Sequence, residues 1–79
     1  MSPTVFFEGN NRFYFFSREE RRMHVHVTNP EGEAKFWIEP TISLASSYNL
    51  SAVVLRRLQK LVEEHRDEIE QNWKKHFSS

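Results

Sequence analysis

Two histidines, His24 and His26, stand in an alternating run, His24-Val25-His26-Val27-Thr28. A second alternating run, Glu33-Ala34-Lys35-Phe36-Trp37-Ile38, follows it closely. Side chains two residues apart on an extended chain point the same way, roughly 6.5–7 Å apart. If Asn29-Pro30-Glu31-Gly32 forms the loop of a hairpin, Thr28 opposes Glu33, His26 opposes Lys35 and His24 opposes Trp37. One face then carries two imidazoles, an ammonium and an indole, with guanidinium from Arg21 or Arg22 beside them.

Three chemistries suit that set. The first is recognition of an anionic partner, protein or nucleic acid. Trp37 offers a stacking surface, while Lys35 and the arginines neutralise phosphate or carboxylate. The second is catalysis, in which His24 and His26 act as general base and acid on the 2′-OH of RNA and Lys35 stabilises the developing charge. The third is a metal site, since His-x-His begins many of them, with Glu39, Glu19 or Glu20 as further ligands. Lys35 would repel a cation there, so no metal and no other cofactor is expected. The plain alternative is that the two histidines and Trp37 only cover a sheet.

The hairpin itself is well specified. Met23, Val25 and Val27 fall on one side of the first run, and Ala34, Phe36 and Ile38 on one side of the second. In the stated register Val27 meets Ala34 and Val25 meets Phe36, and a slip of one residue would oppose apolar to polar throughout. Thr4–Phe7 and Arg12–Phe16 read as an earlier hairpin around Glu8-Gly9-Asn10-Asn11. Its second strand is aromatic on both sides, so alternation does not tell which side faces inward. Ser17–Arg22 is a charged connection. Pro40 ends the second hairpin, and Ile42 and Leu44 allow a short edge strand.

From Ala52 the period becomes helical, with Val54, Leu55, Leu58, Leu61, Val62, Ile69, Trp73 and Phe77 on one stripe and Ser51 or Asn49 as the entry cap. A single helix to Phe77 would be roughly 39 Å long, against a radius of gyration of about 12 Å for a chain this size. A kink or break near His65-Arg66 is therefore expected. Asp67 and Glu68 would begin a second segment and Lys74-Lys75-His76 would end it, each suited to the helix dipole. His65 and Trp73 read as capping or packing residues.

Seventy-nine residues make one domain, 1–79. Cysteine is absent, which excludes disulfides and thiolate metal sites. Eleven basic residues balance eleven acidic ones, so bulk charge does not drive nucleic-acid binding. No apolar run approaches membrane-spanning length and the start lacks the features of a signal peptide. A soluble cytoplasmic protein with no membrane partner is expected, and homo-oligomerisation would be one way for so small a domain to gain core.

Phe15-Phe16-Ser17, His24-Val25-His26-Val27, Ala34-Lys35-Phe36-Trp37-Ile38 with Pro40, and the helical tail reaching Trp73 together resemble the small prokaryotic family known as domain of unknown function 4160. The resemblance spans nearly the whole chain. It implies an α+β fold, a prokaryotic or phage origin and the company of toxin–antitoxin loci, with no catalytic activity established for the family in general. Where that family often has Pro before the first His, this chain has Arg22-Met23.

The expectation is thus an α+β domain, with an antiparallel sheet of about four strands on a C-terminal helical segment. Met23, Val25, Val27, Phe36 and Ile38 should face Val54, Leu58, Leu61, Ile69 and Trp73. The expected function is a toxin–antitoxin-associated binding or regulatory module using His24, His26, Lys35, Trp37, Arg21 and Arg22. Its partner would be a protein from a neighbouring gene or a nucleic acid. A metal-independent, toxin-like ribonuclease acting through His24, His26 and Lys35 is the alternative.

Overall fold

The computed structural model describes residues 4–16 and 21–77. Five strands, β1 (Thr4–Glu8), β2 (Asn11–Tyr14), β3 (His24–Thr28), β4 (Glu33–Trp37) and β5 (Ser43–Tyr48), precede two helices, α1 (Ala52–Glu64) and α2 (Arg66–Phe77). The strands form one antiparallel sheet in the order β1-β2-β3-β4-β5, so each pairs with its neighbour in sequence.

The register of β3 on β4 is the expected one at every position, from His24 opposite Trp37 to Thr28 opposite Glu33. Val25, Val27, Phe36 and Ile38 are fully buried, and Met23 and Ala34 nearly so. They meet Leu58, Val62, Ile69 and Trp73, with Val54 and Leu61 packed at the margin. Phe13 lies opposite Val27, which places it on the same side, and it stacks on Phe6 with centroids 4.2 Å apart. Phe13 and Phe15 therefore point inward, and Tyr14 and Phe16 belong to the other side. The ladder of β2 stops at Tyr14, two residues short of the expected Phe16.

The fifth strand is the short edge strand that Ile42 and Leu44 allow, added to the about four expected. Its alternation is hidden by a bulge. Lys35 pairs with Ser46 and Phe36 with Leu44, leaving Ala45 as an extra residue. Leu44 and Ser46 thus lie on opposite faces although they are two apart.

The helical stretch breaks where size required it, with His65 as the C-cap between α1 and α2. The molecule measures 36 × 27 × 20 Å with a radius of gyration of 11.6 Å, so an unbroken helix would overrun it. Ser51 caps α1, its hydroxyl accepting from the Val54 N–H at 3.2 Å. His65 stacks on Phe6 at 4.0 Å, and its Nδ1 lies 3.0 Å from Glu68 Oε1, so the histidine joins both helices to the first hairpin. Acidic residues open α2 and Lys74, Lys75 and His76 close it, as the dipole favours.

The β3–β4 loop is held by three asparagines. The Asn29 carboxamide oxygen accepts from the N–H groups of Glu31 and Gly32, and its Nδ2 donates to Asn11. Asn49 Nδ2 donates to the Glu31 carbonyl at 2.6 Å. Gly32 passes so close to Tyr48 and Asn49 that a Cβ would overlap the Tyr48 carbonyl oxygen. Gly32→Ala is therefore expected to destabilise the domain by about 1–3 kcal/mol, the range of overpacked sites, as read in a thermal melt.

Candidate functional site

An antiparallel sheet can cover one face with helices and leave the other to solvent. Here the second face carries a connected set of rings and cations. On β2, the Arg12 guanidinium lies 4.5 Å over the Tyr14 ring. Tyr14 stacks on His26 of β3 at 5.4 Å, and Phe16 meets His26 edge-on at 4.4 Å. On β4, Lys35 Nζ lies 4.5 Å from the Trp37 ring centroid and the Arg22 guanidinium 4.1 Å from it. Arg22 is also held in place by donating from Nε to the Glu39 carbonyl at 2.9 Å. Distances of this order are those of cation–π contact, which keeps a cation at a ring without removing its charge.

His26, Lys35 and Trp37 are half-buried, and Arg22 is exposed. Arg21 is exposed too, and with Arg22, Glu39 and Pro40 it borders a shallow groove at the Trp37 end of the face. A second depression, of 260 Å³, lies between Phe16, His26, Glu33, Lys35, Ser46 and Tyr48. Alternation and register account for the strand residues of this array, while Phe16 follows β2 and Arg22 precedes β3. Tyr14, His26, Lys35 and Ser46 form one row across four strands.

His24 departs from its expected role. It is fully buried, with ring centroids of Trp37 at 5.6 Å and Trp73 at 5.2 Å. Its Nδ1 lies 2.7 Å from the Arg22 carbonyl oxygen. A carbonyl only accepts, so that nitrogen carries the proton and donates. The strand spacing does bring the two imidazoles side by side, 5.1 Å apart, but α2 ends against His24 and Trp73 closes over it. A general acid or base must reach its proton, and with His24 enclosed, His26 is the more accessible of the two imidazoles. His24 instead positions Trp37 and the Arg22 backbone. Glu39, considered as a metal ligand, accepts from the Met23 N–H at 3.2 Å. Among the described residues no three His, Asp or Glu side chains converge as ligands would. Glu19 and Glu20 lie outside those residues, as does most of the Ser17–Arg22 connection.

Sequence reasoning left out Arg12, Tyr14, Phe16 and Tyr48. The signal for the first three was the pairing of β2 on β3, which places Arg12 and Tyr14 on the His26 side. That for Tyr48 was concealed by the bulge.

The family model described as Domain of unknown function (DUF4160) matches residues 11–74. The chain belongs to the DUF4160 family. The DUF4160 match runs from the start of β2 into α2 and so contains every residue of the ring-and-cation face. Neither the curated proteins nor the solved structures gave a match. The DUF4160 description assigns no chemistry, and none of the described helices is long and apolar enough to cross a membrane.

Proposed function

We propose that this DUF4160 protein is a small cytoplasmic binding module, associated with a toxin–antitoxin pair, that holds an anionic partner on its open sheet face. Single-stranded nucleic acid is the partner this face fits best. The observation that carries the reading is the interleaving of rings with cations: Arg12 at Tyr14, and Arg22 and Lys35 at Trp37, with His26 and Phe16 between. Phe16 is exposed and His26 and Trp37 are half-buried, so these rings offer stacking to unpaired bases, and the cations held over Tyr14 and Trp37 meet the phosphates between them. The toxin–antitoxin association is carried by the family resemblance, and the neutral overall charge suits a partner bound through one patch.

Fluorescence anisotropy of labelled single-stranded RNA and DNA tests this. Three cations on the face predict saturable binding whose logarithm falls with log salt at a slope of about −2. A protein that binds no strand, yet is captured with an acidic product of a neighbouring gene, would move the assignment to the protein partner.

A further inference from the structure

Charge is spread through most of this chain but not through all of it. From Pro40 to Leu55 there is no charged residue, while 28% of the whole chain is charged. That stretch contains β5, the last strand of the sheet, which pairs with β4 alone among the described residues. Its outer row of N–H and C=O groups faces away from the sheet. Natural edge strands are usually guarded by lysine, proline, inward-pointing charge or a bulge. Of these, Ser43–Tyr48 has only the bulge. Leu44 is 41% exposed, Tyr48 70%, and Val53 in the first turn of α1 56%. The bulge at Ala45 bends the edge but leaves Ser46–Tyr48 regular.

We propose that β5 is a self-association edge, at which two copies of this chain pair antiparallel about Ser47 and join their sheets. In that arrangement Ser47 lies opposite its own copy and Ser46 opposite the second copy's Tyr48. The faces agree, because Ser46 pairs with Lys35 and Tyr48 with Glu33, which puts both on the open side. The occupant follows from charge. Self-pairing of a charged strand sets like charges against each other, whereas β5 sets hydroxyls against hydroxyls and a phenol. A charged foreign segment would find no complement on it.

The two-fold axis of such a pair stands perpendicular to the sheet. Both ring-and-cation faces then look the same way, and the helices of both copies lie together on the other side, the side of Leu44. The joined sheet has ten strands and spans roughly 48 Å, which doubles the length of strand that the open face can follow. The pairing itself does not depend on what that face binds.

Sedimentation equilibrium from about 5 μM to about 1 mM protein reads the association directly, since a short ladder gives a reversible dimer in this range. The wild type is expected to shift from monomer toward dimer. Ser47→Lys and Ser47→Glu, at an exposed position, should each stay folded by circular dichroism and associate at least tenfold more weakly. An equimolar mixture of the two should recover the dimer, because opposite charges then face each other. A wild type that stays monomeric throughout, or a Ser47→Lys variant that dimerises as the wild type does, would overturn the proposal.

Discussion

His24→Ala is expected to cost about 2–4 kcal/mol, the range of truncated core side chains, and to lower the melting temperature by ~10–20 °C. His26→Ala should move the melting temperature by a few degrees at most and act on binding instead. The two differ in what surrounds them. His24 is wholly enclosed by Trp37, Trp73 and His26, and its Nδ1–H donates to the Arg22 carbonyl. Removing the ring opens a cavity between two indoles and leaves a carbonyl short of a partner, and both effects destabilise. His26 lies half-buried between Tyr14 and Phe16, where its removal bares two rings without emptying the core. Thermal melts of both variants, with anisotropy measured below each melting point, separate the roles. A His24→Ala variant that melts like the wild type would refute the burial account.

Trp37→Ala should weaken single-strand binding about 10- to 100-fold, since one stacked base contributes ~1–3 kcal/mol. Lys35→Ala and Arg22→Ala should each lower affinity less, and each should flatten the salt slope by roughly 0.7–1. The indole is the larger contributor because both cations already lie at its ring, so base and phosphate would meet at one place. Arg22 is a further discriminator. It is anchored to the Glu39 carbonyl and lies over Trp37, a geometry that needs a planar guanidinium. Arg22→Lys keeps the charge and loses the stacking, so affinity should fall while the salt slope stays near that of the wild type. Equal loss on Arg22→Lys and Arg22→Ala with unchanged slopes would mean that Arg22 serves the fold alone.

Much of the fold was legible because local and long-range preferences agree. The β3–β4 hairpin alternates on both strands and has a loop of turn-forming residues, so one register satisfies everything. The break at His65 followed from a length that a small domain cannot hold. β5 was less legible because a bulge at Ala45 erases period two and because a hydroxyl-rich edge strand buries little. At the site, the sequence assigned His26, Lys35 and Trp37 to one face correctly. It did not foresee what encloses His24, because alternation specifies a side of the sheet but not what covers its end, and Trp73 arrives from far along the chain. Arg12 and Tyr14 were hidden by a strand that is aromatic on both sides.

The strand order has a consequence for how the chain reaches this structure. Every strand pairs with the one before or after it, so the sheet can assemble by successive short loop closures, each with a small entropic cost. The helices return to the sheet over longer spans, α1 to β4 across β5 and α2 to β1 across the whole meander. Docking of the two helices closes the longest loops, so it is expected to follow the pairing of the strands. Val25, Phe36 and Ile69 become buried in that step, and so does His24 beneath Trp73, so the Trp37 end of the ring-and-cation face is completed only when α2 docks.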